Sequence, residues 1–334
     1  MSYNNGIDNP AQYFNTILYT GNSSTQSITG LGHSPNFVWI KDRIGATSVY
    51  SHHLFDSVRG ATKYVLADAT DAEATVATTL TSFDSDGFSL GSDASTNASG
   101  DATVAWCWKE SATSGMDIVS FEGTGSAHMV SHSLSAKPKL VIAKNRERVS
   151  DWLVYHAGMD ATGDYALFLH SNSAKDNSQN YWGDTEATTS AFSVGTRQEN
   201  NQSGEDIIAY CFADVQGFSK VSGKYTGNGS SDGVYLHLGF FPSFLMVKRI
   251  DSHNQWIMMD TKRTPANTGT VPELFADLSA AENSATDGRF DFLANGVKAK
   301  GTNAAVNASG ATYIYMAWAD TSFVNSKGVP ANAR

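Results

Sequence analysis

Charge is scarce in this 334-residue sequence: Asp, Glu, Lys and Arg together make up 17% of it, where an average soluble domain carries about 25%. Proline is scarce as well, with 7 residues, and cysteine is limited to 2. Two cysteines in a chain of this size exclude a disulfide scaffold and suggest assembly in a reducing compartment, with the thiols packed. No run of 18 apolar residues occurs, so no membrane-spanning helix is expected. The start, MSYNNGIDNPAQYF, lacks the basic and apolar stretches of a secretory signal, and none is expected. Lys and Arg number 23 against 33 Asp and Glu, a net charge of −10, which argues against a general binder of nucleic acid. Long amphipathic periodicity is missing too, which excludes a coiled coil. Only Glu73–Leu80 and Pro272–Ala281 offer short helical stretches.

What the sequence does contain is internal similarity. Pro35-Asn-Phe-Val-Trp-Ile-Lys41 returns as Pro138-Lys-Leu-Val-Ile-Ala-Lys144 and again as Pro242-Ser-Phe-Leu-Met-Val-Lys248, the prolines lying 103 and 104 residues apart. Tyr19-Thr-Gly21 matches Phe121-Glu-Gly123 and Tyr225-Thr-Gly227. Downstream, Gly100, Gly204 and Gly310 each precede an aromatic residue by 8 positions, at Trp108, Phe212 and Trp318. The chain therefore reads as an arm over 1–12, three units over 13–115, 116–215 and 216–325, and a tail over 326–334. Each unit has short apolar runs rich in β-branched and aromatic residues, bounded by Gly, Asn, Ser or Pro. The expected fold is all-β: three tandem β-sandwiches of roughly 104 residues, lectin-like or jelly-roll-like, touching one another around a pseudo-threefold axis.

The same alignment sorts the candidate sites. Cys107 and Cys211 share a slot that Ala317 fills in the third unit, which points to close packing. Trp108 and Trp318 share a place with Phe212, Trp152 shares one with Trp256, and Trp39 and Trp106 align with apolar residues, so these six read as core. Lys41, Lys144 and Lys248, with neighbours Arg43, Arg146 and Arg249, read as ion pairs or as side chains snorkelling over a sheet edge. Asn180-Tyr-Trp-Gly-Asp184 has no counterpart elsewhere. Tyr181 and Trp182, with Asp184, are the candidate ligand-binding residues, either a platform for stacking a sugar or a contact between units or subunits.

Metal and catalytic patterns are weak. His52 and His53 are adjacent and point to opposite faces of a strand, and His128 and His132 sit in a non-helical setting. Asp84-Ser-Asp86-Gly87 starts like a calcium loop but has Ser95 where the bidentate acid belongs. No nucleophile elbow, P-loop, zinc-protease or paired-cysteine motif occurs, and no spacing marks a glycosidase carboxylate pair. No catalytic residue, metal or cofactor is expected. Net charge falls unevenly, −6 over 1–115, −6 over 116–215 and +2 over 216–334. The third unit would thus suit an acidic partner or a head-to-tail contact between copies.

Tyr13-Phe-Asn-Thr-Ile-Leu-Tyr-Thr-Gly21, Ile28-Thr-Gly-Leu-Gly32, Pro35 to Arg43, Leu54-Phe-Asp-Ser-Val-Arg-Gly60 and Leu80 to Phe88, followed by Asn97-Ala-Ser-Gly100 and Trp106-Cys-Trp-Lys109, resemble a domain of unknown function. That domain recurs in virion structural proteins of marine and cyanobacterial bacteriophages. The first unit carries the pattern closely and the third recognisably. The second carries it least, lacking the Asp-x-x-Arg-Gly segment. The resemblance implies a non-enzymatic particle component: tail fibre, baseplate piece, head fibre or capsid decoration. Its implied partners are other virion proteins, copies of itself and a host-surface glycan. Its implied location is the virion, after assembly in the host cytoplasm.

Overall fold

The computed structural model describes residues 7–45, 48–263, 267, 269–286 and 289–321. Of the expected N-terminal arm 1–12, residues 7–12 lie within it, whereas the expected tail 326–334 lies outside the described residues. The fold is all-β with antiparallel ladders, and among the described residues the helices span only three or four residues each, at Pro10–Gln12, Ala94–Asn97 and Gln198–Asn201. Neither stretch marked as helical from sequence forms a helix. Glu73–Leu80 contains the short strand Ala74–Thr75, and Pro272 lies within strand Val271–Phe275, paired to Asn283–Ala285. In both places cross-strand pairing outweighs local propensity.

Three large sheets carry the architecture. The first runs Phe14–Thr20, Ala102–Trp108, Phe37–Asp42, His53–Asp56, Lys63–Leu66, Ala74–Thr75 in hydrogen-bonding order. The second runs Met116–Glu122, Asp206–Phe212, Leu140–Asn145, Leu153–His156, Leu167–Phe168. The third runs Ser219–Thr226, Thr312–Trp318, Phe244–Arg249, Ile257–Asp260, Val271–Phe275, Asn283–Ala285. Phe37 faces Trp108 across its ladder, Leu140 faces Phe212, and Phe244 faces Trp318. Smaller sheets or hairpins pack on one side of each, containing Gly87–Leu90, Ala191–Val194 and Gly296–Lys300 respectively. The result is three β-sandwiches.

Strand alternation then gives every central strand two buried faces. In the first sheet Val38, Ile40, Ala105 and Cys107 pack into the sandwich, while Phe37, Trp39, Trp106 and Trp108 face the other way. The corresponding faces of the second and third sheets, with Leu140, Ile142, Tyr210 and Phe212, and Phe244, Met246, Met316 and Trp318, join them in one core shared by all three sandwiches. Trp108, Phe212 and Trp318 lie at its centre, with ring centroids 6.4, 5.5 and 5.4 Å apart. A cavity of about 20 Å³ remains there, lined only by apolar and aromatic side chains.

Backbone bonds tie neighbouring sandwiches together: Glu73 N to Arg146 O at 2.7 Å, Lys175 N to Ile250 O at 3.0 Å and Glu282 N to Arg43 O at 2.7 Å. Trp152 Nε1 donates to Leu66 O at 2.7 Å and Trp256 Nε1 to Phe168 O at 2.9 Å. The three sandwiches therefore meet at three joints: first to second, second to third, and third to first.

Candidate functional site

Tyr181 and Trp182 do not form a surface platform. They are 5% and 3% exposed and belong to the interior of the second sandwich, where Trp182 packs edge-on to Tyr155 at 6.1 Å. Tyr181 Oη donates to Asp176 at 2.5 Å, and Phe168 stands edge-on to its ring. With both rings enclosed, no face is left for a sugar. The polar loop that carries them folds inward because the smaller sheet of this sandwich has only two strands, and the rings cover what a third strand would. Asp184 alone is exposed, in a left-handed turn with φ of 47°.

Among the described residues the three lysines make no ion pair, and none of them snorkels. Each lies on the face that looks into the shared core and is at most 1% exposed. Lys41 Nζ donates to the carbonyls of Asp42 and Ser279, Lys144 Nζ to those of Asn145 and Arg148 and to Ser150 Oγ, and Lys248 Nζ to those of Asn172 and Arg249. Burial pushes each ammonium down to about 8. The sign follows: the unfolded chain holds these protons to about pH 10.4, so stability rises with pH from about 8 to 10. The Cys107 and Cys211 thiols, free and fully buried, are pushed up instead, which lowers stability over the same range. Replacing both by alanine, the residue at 317, removes that opposing effect. The double variant is expected to gain midpoint stability in urea between pH 8 and 10, while the parent changes less.

Charge is concentrated at two of the joints. Between first and second sandwiches, Arg59 and Asp56 are fully buried and paired, and Tyr210 Oη donates to Asp56 at 2.8 Å. Arg59 Nη2 also reaches Leu54 O at 2.8 Å, and Glu73 accepts from Arg146 at 2.9 and 3.1 Å. Between third and first, Arg263 donates to Asp260 at 2.6 Å and to Met258 O at 2.9 Å, Trp106 Nε1 donates to Asp260 at 3.0 Å, and Glu282 accepts from Arg43 at 2.8 and 2.9 Å. The joint between second and third has His156 and Met159 where the others have the aspartate and arginine. It has Lys175 and Ile250 where they have the glutamate and outer arginine. Arg249, grouped from sequence with Arg43 and Arg146, is not their counterpart; it pairs locally with Asp251 at 2.6 Å.

One set of structural residues was only partly visible in sequence. Asn97, Asn201 and Asn307 are fully buried, and each side-chain amide clips two loops. Asn97 Nδ2 donates to Ser24 O and Gly91 O, Asn201 to Ser126 O and Gly195 O, and Asn307 to Ser230 O and Gly301 O, all between 2.5 and 2.9 Å. Their Oδ1 atoms accept from the amides of Asn22, Thr124 and Asn228. The glycines at 21, 123 and 227 are required beside them, since a Cβ would fall on the carbonyl oxygen of Ala98, Gln202 or Ala308. Asn201 has the same signal as the others, an asparagine three positions before a glycine. Asn307→Ala leaves three part-buried backbone groups without this partner and is expected to cost about 2 kcal/mol, read as a lowered urea midpoint with native circular dichroism retained in buffer.

The remaining polar groups serve turns and edges. Asp86 accepts from the amides of Gly30 and Gly32, closing the turn that resembled a calcium loop. His52 and His53 do face opposite sides, the first toward Trp39 and Trp106, the second toward Phe55 and Tyr64. Among the described residues no group of three His, Cys, Asp or Glu is placed to hold a metal ion. Glu110 caps the amide of Ile118 at 3.1 Å, and burial with the neighbouring Asp117 carboxyl pushes it up to about 7. The open depression beside it, about 420 Å³ and bordered by Val58, Ile118 and His132, holds no further converging charge. These groups can brace strands and joints.

No curated protein and no solved structure matches the chain significantly. A family model does match, across residues 9–322, and so spans all three sandwiches. The chain belongs to that family, described as a domain of unknown function (DUF7483).

Proposed function

We propose that this chain is a structural component of a bacteriophage particle, an appendage or decoration protein without catalytic activity. In this reading it consists of three tandem copies of one lectin-like or jelly-roll-like β-sandwich, closed around a pseudo-threefold axis. The observation that carries the reading is the shared core. The sandwiches contribute matching faces to one apolar interior, and buried Arg-Asp pairs fasten two of the joints. Such a body resists deformation, because opening any joint exposes aromatic surface and unpairs buried groups. Its matching ladder registers and the backbone bonds at 73–146, 175–250 and 282–43 support the threefold arrangement. The family itself names no activity, so the particle assignment rests on the sequence resemblance. Its test is mass spectrometry and antibody-labelled electron microscopy of purified particles from the phage encoding the chain. Presence at a defined site on the head or tail is expected; absence from purified particles contradicts the proposal.

A further inference from the structure

The three joints respond differently to protons. At the joint between second and third sandwiches, His156 is fully buried, and its Nδ1 accepts a hydrogen bond from the Gly158 amide at 2.9 Å. Its Nε2 points across the joint to the Tyr315 carbonyl at 3.4 Å. The imidazole is thus held in the neutral form with Nδ1 unprotonated. A proton there would set two N–H groups against each other at a fully buried position. We propose that this joint is an acid latch, which opens in mild acid before the other two when His156 takes up a proton.

Burial is the main force against the cation. Of the charged groups facing His156, Asp214 favours protonation and Lys220 opposes it, and being paired with each other at 2.7 Å they largely offset. Asp214 is itself held below the usual carboxylate range by its hydrogen bonds. Met159 and Ile250 line the inner side of the joint in the shared core. Burial brings His156 down to about 4. Its unfolded value is near 6.5, so closure is stabilised above pH 6.5 and weakens as pH falls toward 4.

The other joints carry groups of opposite sense. Glu110, beside the joint between first and second sandwiches and facing Asp117 and Asp56, is raised to about 7 and gains its proton in the folded state. At the joint between third and first, His52 faces Lys41, His53 and Arg263 and resists protonation. There Asp68, which accepts the His52 amide at 2.9 Å, is raised; Asp277, which accepts the Trp256 amide at 2.9 Å and faces Lys248 and Asp68, is raised as well. Proton uptake by Asp68 offsets the loss at His52, whereas the charged groups that face His156 are Asp214 and Lys220 alone.

Hydrogen exchange on the full chain at pH 7 and pH 5, corrected for intrinsic rates, reads this directly. Amides of 153–160 and 219–226 are expected to open about 20-fold more at pH 5, with 54–60 and 258–263 opening no more than at pH 7. His156→Gln is expected to abolish the difference. Equal gains at all three joints, or a gain that persists in His156→Gln, overturn the proposal. Should that variant not fold, side-chain titration of His156 by NMR in the unmodified protein decides. A value near 4 that tracks the opening supports the latch, and titration near 6.5 with the joint closed overturns it.

Discussion

Asp260→Ala is expected to lower stability by about 3–5 kcal/mol, the scale set by stranding one member of a buried ion pair. Arg263 is fully buried and has Asp260 as its closest counter-charge, and the Trp106 indole loses its acceptor in the same step. Glu282 and the Met258 carbonyl retain their bonds to the guanidinium, so the charge stays in place without its main partner. The joint between second and third sandwiches suggests a remedy. There the same two positions are His156 and Met159, and they pack without any ion pair. Asp260→His combined with Arg263→Met is therefore expected to cost less than Asp260→Ala alone, since no buried charge is left unpaired. Urea unfolding of both variants checks this. A double variant as damaged as the single one would mean that the network contributes through its attraction and not through the penalty of breaking it.

The second large effect concerns the sandwiches taken singly. Residues 13–115 alone would expose Phe37, Trp39, Trp106 and Trp108, which the neighbouring sandwiches cover. Aromatic side chains bury roughly 150–250 Å² each, so at roughly 25 cal/mol per Å² the loss exceeds the few kcal/mol by which a domain of this size is stable. This segment is expected to aggregate or to stay without fixed tertiary structure, with weak near-ultraviolet dichroism and strong dye binding. A monomer with a cooperative melt would contradict the shared core.

Much of this was legible in the sequence, for identifiable reasons. The apolar runs ending at Lys41, Lys144 and Lys248 and the aromatic positions at 108, 212 and 318 follow from strand alternation, so their burial could be read directly. The lysines were misjudged because sequence shows which face a residue takes, not that both faces of these strands are covered. Each ammonium is solvated by carbonyls from neighbouring loops, including Ser279 and Asn172, remote in sequence. Arg249 was misassigned for a related reason. The partner that defines the outer arginine is a glutamate in the next sandwich, and where that residue is Lys175 the arginine position becomes Ile250. Tyr181 and Trp182 were read as exposed because their loop is polar, and their burial depends on the two-stranded sheet beside them.

The central claim is that the three sandwiches close into one ring around a common core. Phe14 and Trp318, near the two ends of the described chain, have ring centroids 6.2 Å apart, so the ends meet at the joint between third and first. A circular permutant tests this most directly, with 321 joined to 7 by a short flexible linker and the chain opened between Thr113 and Ser114, where one sandwich leads to the next. The account predicts a folded monomer with a melting temperature within about 10 °C of the parent, a shift of a few kcal/mol at this size. Failure to fold, or folding only as a mixture of oligomers, would contradict it.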